Sequence, residues 1–141
     1  MFALGSVLAF ALTGTPPFGE GRSEAVLYRI IHHPSPAVAG GTVHIASNDH
    51  NLYALDAATG QIRWTQATGS HADSSPAVSD GTVYLGSWDH KLYALDAATG
   101  RIRWTHTTGG FVESSPAVAG GTVYVGSDDD KVYALDAATG S

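Results

Sequence analysis

Short apolar runs separated by turn-forming residues follow one another along most of the chain. The stretches Thr82–Leu85 and Lys91–Leu95 combine β-branched and aromatic residues, and no window offers ten residues of uninterrupted helical periodicity. Such runs, when turn formers bound them, are typical of β-strands. The linkers are short, so neighbouring strands must run antiparallel. In this part of the chain we predict four strands, near residues 74–78, 82–87, 91–96 and 101–107.

The apolar residues of these runs do not alternate with polar ones. Val83 and Leu85 fall on one side of a strand, and Tyr84 and Gly86 fall on the other. A sheet with one wet face would place polar residues on that face, whereas a sheet covered on both faces reads as continuously apolar. The pattern therefore favours several sheets stacked against one another.

The same pattern returns every 40 residues. Gly41-Thr42-Val43 recurs at residues 81–83 and 121–123, and residues 41–80 match residues 81–120 at 26 of 40 positions without a gap. Self-similarity of this strength indicates a tandem array of equivalent modules. Four antiparallel strands in each 40-residue unit is the pattern of a β-propeller blade.

Each unit ends in a longer and more specific motif. The motif is Ala-x-Asp-x-x-Thr-Gly-x-x-x-Trp, and it resembles the tryptophan-docking repeat of the pyrroloquinoline quinone (PQQ) propeller superfamily. That superfamily includes PQQ-dependent dehydrogenases, the outer-membrane assembly lipoprotein BamB and repeat domains fused to bacterial Ser/Thr kinases. The resemblance covers about residues 34–141. The motif residues are Ala54, Asp56, Thr59, Gly60 and Trp64 in one unit, and Ala94, Asp96, Thr99, Gly100 and Trp104 in the next.

The repeat and the resemblance together predict an all-β fold, a partial propeller of three blades whose last blade is incomplete. We expect each motif tryptophan to lie across the turn of the neighbouring blade and to donate its indole N–H to a backbone carbonyl. The expected organisation is an irregular lead or degraded signal at 1–22, an outer strand of a preceding or closing blade at 23–33, and blades at 34–73, 74–113 and 114–141.

Composition and charge remove several classes of function. Seven Lys and Arg residues against 13 Asp and Glu residues give a net charge of −6, which argues against nucleic acid as a partner because phosphate binding needs a basic surface. The absence of cysteine removes disulfides, thiolate metal sites and cysteine nucleophiles. The apolar stretch at residues 1–12 is shorter than the ~20 residues that span a bilayer. The resemblance favours a periplasmic or other extracytoplasmic location.

Candidate chemistry is sparse. The chain has no Gly-rich phosphate loop, no His-Glu-x-x-His and no nucleophile elbow. His44 takes the place of a strand tyrosine in the later units. Trp88-Asp89 imitates the WD40 dipeptide, but only the Asp recurs, so we expect Trp88 to be an exposed turn residue, with a ligand contact as the alternative. The acidic run at residues 128–130 is typical of a solvated turn, with a weak Ca²⁺ site as the alternative.

Three equivalent positions precede the innermost strand of each blade. They are His33, Asp73 and Glu113, and in a propeller the first strand of each blade lines the central channel. Residues at the mouth of that channel can converge from several blades, so these three are candidates for a shared binding site. The alternative is that they are exposed loop residues.

The sequence thus predicts a non-catalytic module that acts as a scaffold for a protein or small ligand and is a fragment of a larger propeller. We predict no catalytic, cofactor-binding or metal-ligating residue; PQQ enters only through the resemblance. The alternatives are a fragment of a PQQ-dependent dehydrogenase and the sensor domain of a Ser/Thr kinase. Assembly of identical chains that closes the ring is a further possibility, because repeat symmetry permits it.

Overall fold

A computed structural model of the chain describes residues 35–141, and this part contains eleven β-strands and no helix. The expectations for residues 1–22, for a strand at 23–33 and for His33 lie outside the described residues. The strands are β1 (Ala37–Ala39), β2 (Thr42–Ala46), β3 (Asn51–Asp56), β4 (Ile62–Ala67), β5 (Ala77–Ser79), β6 (Thr82–Gly86), β7 (Lys91–Asp96), β8 (Ile102–Thr107), β9 (Ala117–Ala119), β10 (Thr122–Ser127) and β11 (Lys131–Asp136).

The strands form three separate antiparallel sheets in chain order. The first sheet is β1-β2-β3-β4, the second is β5-β6-β7-β8, and the third holds β9, β10 and β11. Each sheet is a meander in which every strand pairs with its neighbour along the chain. The predicted all-β class and the incomplete third blade are confirmed.

The innermost strand of the second sheet is shorter than the sequence predicts. It covers Ala77–Ser79 instead of 74–78. Pro76 has no N–H to offer a ladder. Ser74 instead contacts the sheet through its side chain, whose Oγ accepts a hydrogen bond from Gly86 N at 2.9 Å. The segment before β5 is therefore anchored by a side chain and not by strand pairing.

Two apolar clusters join the three sheets face to face. Val83 and Leu85 pack with residues of the first sheet, such as Leu52, while Tyr84 and Leu92 pack with residues of the third. The second sheet is consequently buried on both faces, and all five residues of β6 are buried. At roughly 1.5–3 kcal/mol for each buried large apolar side chain, these two interfaces are the main source of stability.

The sheets converge at their first strands. Ser35 N donates to Ser75 Oγ at 2.8 Å, and Ser75 N donates to Ser115 Oγ at 2.9 Å. These bonds join residues 40 positions apart, and β1 contacts β5 as β5 contacts β9. The sheets therefore fan out from one shared inner line, as propeller blades do.

The outer face of the third sheet is uncovered in the described part of the chain. Tyr124 is 44% exposed and Val132 is 80% exposed, whereas their repeat equivalents Tyr84 and Leu92 are 2% and 0% exposed. The second sheet buries this face against the third sheet. The third sheet leaves the equivalent face open to solvent.

Candidate functional site

The motif tryptophans connect each sheet to the next. Trp64, on β4, donates its indole N–H to Ala97 O at 3.0 Å, and Trp104, on β8, donates to Ala137 O at the same distance. Each acceptor lies in the turn that follows the third strand of the neighbouring sheet. Each indole ring therefore lies across the turn of the next sheet.

The motif glycine lies directly beneath that ring. Gly100 has a φ of +79°, and a Cβ added to it would lie 2.5 Å from Cε3 of Trp64. Gly140 makes the equivalent approach to Trp104. Glycine is needed here for two reasons, because the backbone is left-handed and because the indole leaves no room for a side chain.

The motif aspartate builds the turn itself. Asp56 Oδ1 accepts hydrogen bonds from Ala58 N at 2.8 Å and from Thr59 N at 3.0 Å, while Oδ2 accepts from Arg63 Nη2 at 2.6 Å. Asp56 is solvent-accessible, and the Arg63 guanidinium, helped by the amides of Thr59 and Ala58, lowers its pKa to about 2. Its carboxylate is therefore occupied by structural bonds.

The second unit repeats this arrangement. Arg103 donates to Asp96 Oδ2 at 2.7 Å and to Thr82 Oγ1 at 2.6 Å. The Arg103 guanidinium, more than the amides of the turn, lowers the pKa of Asp96. Ala54 and Ala94, the first residues of the motif, are fully buried opposite the two tryptophans in the strand pairing.

His44 occupies the position that a tyrosine holds in the two later units, and it makes the equivalent contact to a turn carbonyl. Its Nε2 lies 3.4 Å from Ala97 O, and its ring centroid lies 5.6 Å from that of Trp64. Tyr84, the equivalent residue, donates its hydroxyl to Ala137 O at 3.2 Å. His44 is 1% exposed, and this burial lowers its pKa below 6.5 despite the opposing effect of the Ala97 carbonyl.

Stability should therefore fall in mild acid because of His44. Between the lowered pKa of the folded state and the unfolded value of 6.5, the unfolded chain binds more protons than the folded one. The contribution of His44 is thus present above pH 6.5 and is lost as pH falls through the folded pKa. We expect His44→Tyr to flatten this part of the pH profile of the melting temperature. His90→Asn, a change at an exposed turn histidine, is the matched control and should leave the profile unchanged.

A second recurring aspartate ties loops of neighbouring sheets together at the opposite end of the strands. Asp89 Oδ1 accepts from Lys91 N at 3.1 Å, and Oδ2 accepts from Gly69 N, in the loop that arrives from the first sheet, at 3.1 Å. The hydroxyl of Tyr93 donates to the same Oδ2. Burial, and then the neighbouring Asp89 carboxylate, raises the pKa of Tyr93 to about 12.

Removing the Tyr93 hydroxyl should weaken this loop contact. We expect Tyr93→Phe to lower the free energy of unfolding by about 1–2 kcal/mol, because a partly buried hydrogen bond to a carboxylate is lost. Tyr53→Phe is the matched control, since its hydroxyl bonds to Asp49 at an exposed position and should matter less. Urea unfolding of both variants measures the difference. An equal effect of the two substitutions would contradict a stabilising role of the Tyr93–Asp89 hydrogen bond in this loop contact.

The candidates for a channel-mouth site are only partly visible. Asp73 and Glu113 are exposed in the segments that lead into β5 and β9, and His33 lies outside residues 35–141. Within that range, no group of three or more His, Asp or Glu side chains is placed to hold a metal ion. A shared site at these positions stays a prediction.

Comparison with known proteins places this architecture in a family. A family model described as outer membrane protein assembly factor BamB matches residues 70–141, which is half of the chain. The chain belongs to this family of PQQ-like propeller repeats. No curated protein matches the sequence.

Solved structures of PQQ-like propellers are similar over the described sheets. BamB from Moraxella catarrhalis is 25% identical with a TM-score of 0.69, over 77% of this chain and 34% of that one. The quinohemoprotein alcohol dehydrogenase ADHIIG from Pseudomonas putida HK5 is 27% identical with a TM-score of 0.67, over 77% and 19%. The computationally designed protein Ika8, at 20% identity and a TM-score of 0.68, shares the fold. The chain thus spans about a third of BamB and a fifth of the dehydrogenase.

Two features of this PQQ-like chain escaped the sequence reasoning. One is the pairing of Asp89 with Tyr93, although Asp-x-x-x-Tyr recurs in every unit and would have revealed it. The other is Trp88, which is half-buried instead of exposed because the ring of Phe111 stacks on it at a centroid distance of 4.9 Å.

No helix that could cross a membrane occurs among residues 35–141.

Proposed function

We propose that this chain is a non-catalytic scaffold module of a larger extracytoplasmic PQQ-like propeller, which presents loop surfaces to a protein or small-molecule ligand. The observation that carries the proposal is that the recurring carboxylates are engaged in structural hydrogen bonds. Asp56 and Asp96 bind turn amides and arginines, and Asp89 and Asp129 bind turn amides and tyrosines. A general base must be accessible to a substrate, and these groups are already engaged.

The near identity of the units supports the same proposal. Catalysis requires an acid, a base and a cofactor placed asymmetrically around one substrate. Here the aspartates that build the turns repeat with the sheets, and the two ion pairs found in residues 35–141 are copies of one another. The extracytoplasmic location rests on the likeness to a family described as an outer membrane assembly factor.

The second candidate is a fragment of a PQQ-dependent dehydrogenase, and the 27% identity to the quinohemoprotein alcohol dehydrogenase favours it. The chain is incubated with PQQ and Ca²⁺, and free quinone is then removed by gel filtration. The scaffold proposal expects no quinone absorbance to travel with the protein and no heat on titration with Ca²⁺. Stoichiometric retention of the quinone would contradict the scaffold proposal and support the dehydrogenase fragment.

A further inference from the structure

Five aromatic and imidazole rings form a continuous row at one end of the sheets, which we call the aromatic stripe. His50 lies 4.7 Å from His71 between ring centroids, and His71 lies 5.3 Å from Trp88. Trp88 stacks on Phe111 at 4.9 Å with an interplanar angle of 11°, and His90 lies 5.5 Å from Phe111. Phe111 is 40% exposed, and His50 and His90 are exposed as well, so the row is open to solvent.

The topology explains why these residues meet. In an antiparallel four-stranded meander, the turn between the second and third strands lies at the same end as the loop that leads to the next sheet. His50 and Trp88 belong to such turns, and His71 and Phe111 belong to such loops. Backbone bonds hold these segments together, since Trp88 N donates to His71 O at 2.9 Å, and Val112 N, next to Phe111, donates to Ser87 O, next to Trp88, at 3.1 Å.

The loops that carry the aromatic stripe are strongly acidic. They comprise residues 47–50, 68–76, 87–90, 108–116 and 128–130, with one acid in each of the first four and three in the last, and they contain no Lys or Arg. Both ion pairs within residues 35–141 lie at the other end of the strands. Lys91 and Lys131, which begin strands beside these loops, are the nearest cations along the chain.

We propose that the aromatic stripe and its acidic loops bind an extended, arginine-bearing polypeptide segment. A guanidinium stacks on the face of Trp or Phe and keeps its charge at every physiological pH. The surrounding carboxylates attract it and reject anionic partners. The rings form a row and not a cage, which fits an extended chain whose side chains recur on one side about every 7 Å. This inference rests on the proposed binding role, and names its partner by charge and shape.

The experiment uses an acetylated peptide of alternating glycine and arginine, titrated into the full chain at about 0.15 M salt, where long-range charge effects are screened. The same peptide with lysine for arginine, and free arginine, are the comparison ligands. We expect the wild-type chain to bind the arginine peptide more tightly than the lysine peptide, and to bind free arginine far more weakly.

Variants separate stacking from charge. Trp88→Asn and Phe111→His introduce the residues found at the equivalent positions of the first unit, and each should weaken binding by about 2- to 5-fold. Asp73→Asn combined with Glu113→Gln should also weaken binding, and this loss should shrink as salt is raised, because salt screens the charges that the variant lacks. Asp80→Asn, an acid at the other end of the strands, should bind like the wild-type chain.

The proposal is overturned if the wild-type chain does not bind the arginine peptide, or if Trp88→Asn and Phe111→His both bind it with unchanged affinity. It is also overturned if Asp80→Asn weakens binding as much as the pair Asp73→Asn and Glu113→Gln. Melting curves show whether each variant is folded, and either ring substitution suffices if the other unfolds. Quinone retention, by contrast, tests only the scaffold proposal. A failure of that proposal can therefore be told apart from a failure of the arginine-peptide proposal.

Discussion

Replacing Trp104 with alanine is expected to lower the free energy of unfolding by about 3 kcal/mol, at the lower end of the range for deleting a large packed aromatic residue. Trp104 is half-buried, which is why the upper part of that range is not expected. The substitution removes the contact with Gly140, the packing against Tyr84 at 6.0 Å between centroids, and the hydrogen bond to Ala137 O. Trp64→Ala should have a similar effect at the first interface.

Urea unfolding measures this effect, and an unchanged slope with denaturant shows that stability alone has changed. Trp104→Phe keeps much of the packing and removes the indole N–H, so its cost of about 1 kcal/mol estimates the hydrogen bond. Trp88→Asn is the control, because Trp88 lies in the loops and not between the sheets. Wild-type-like unfolding of both Trp64→Ala and Trp104→Ala would show that the indoles do not dock the sheets.

The features that the sequence predicted are those that every unit shares. The 40-residue period identified the three sheets. In the structure, Trp64 lies across a turn 33 residues further along the chain, at Ala97. The period reveals the contacts between sheets because neighbouring sheets meet through equivalent positions of the repeat at each interface. A comparison of units within one chain therefore identifies the interface as well as the blade.

One of the contacts that the sequence did not predict arises where the units differ. Trp88 corresponds to Asn48, and Phe111 corresponds to His71, so comparing the units identifies no pattern at these positions. Their contact depends on how far one loop reaches over the turn of the next sheet, which is a property of the packed structure. Ser74 is a different case, because its equivalent Ser114 makes the same bond, to Gly126 N, but a recurring serine alone does not reveal that its side chain replaces strand pairing.

The last prediction isolates the contact between a glycine and an indole by comparing two glycines in the same turn position. Gly60 and Gly100 have φ values of +75° and +79°, so alanine at either site meets the same left-handed strain, of about 1–2 kcal/mol. Within residues 35–141 nothing lies within 4 Å of a Cβ at Gly60, whereas a Cβ at Gly100 would lie 2.5 Å from the Trp64 ring. Gly100→Ala should therefore cost a further 1–3 kcal/mol or so for overpacking.

A double-mutant cycle tests the cause of that excess. If the clash with the ring is responsible, then in a Trp64→Ala background Gly100→Ala should cost no more than Gly60→Ala does in the wild-type chain. Chemical unfolding of the four proteins gives the coupling energy directly. Equal costs for Gly60→Ala and Gly100→Ala in the wild-type chain, or an excess that survives removal of Trp64, would mean that the indole does not pack on this turn. The sheets would then be held together by their apolar faces and by the other hydrogen bonds between them, such as Ser75 N to Ser115 Oγ.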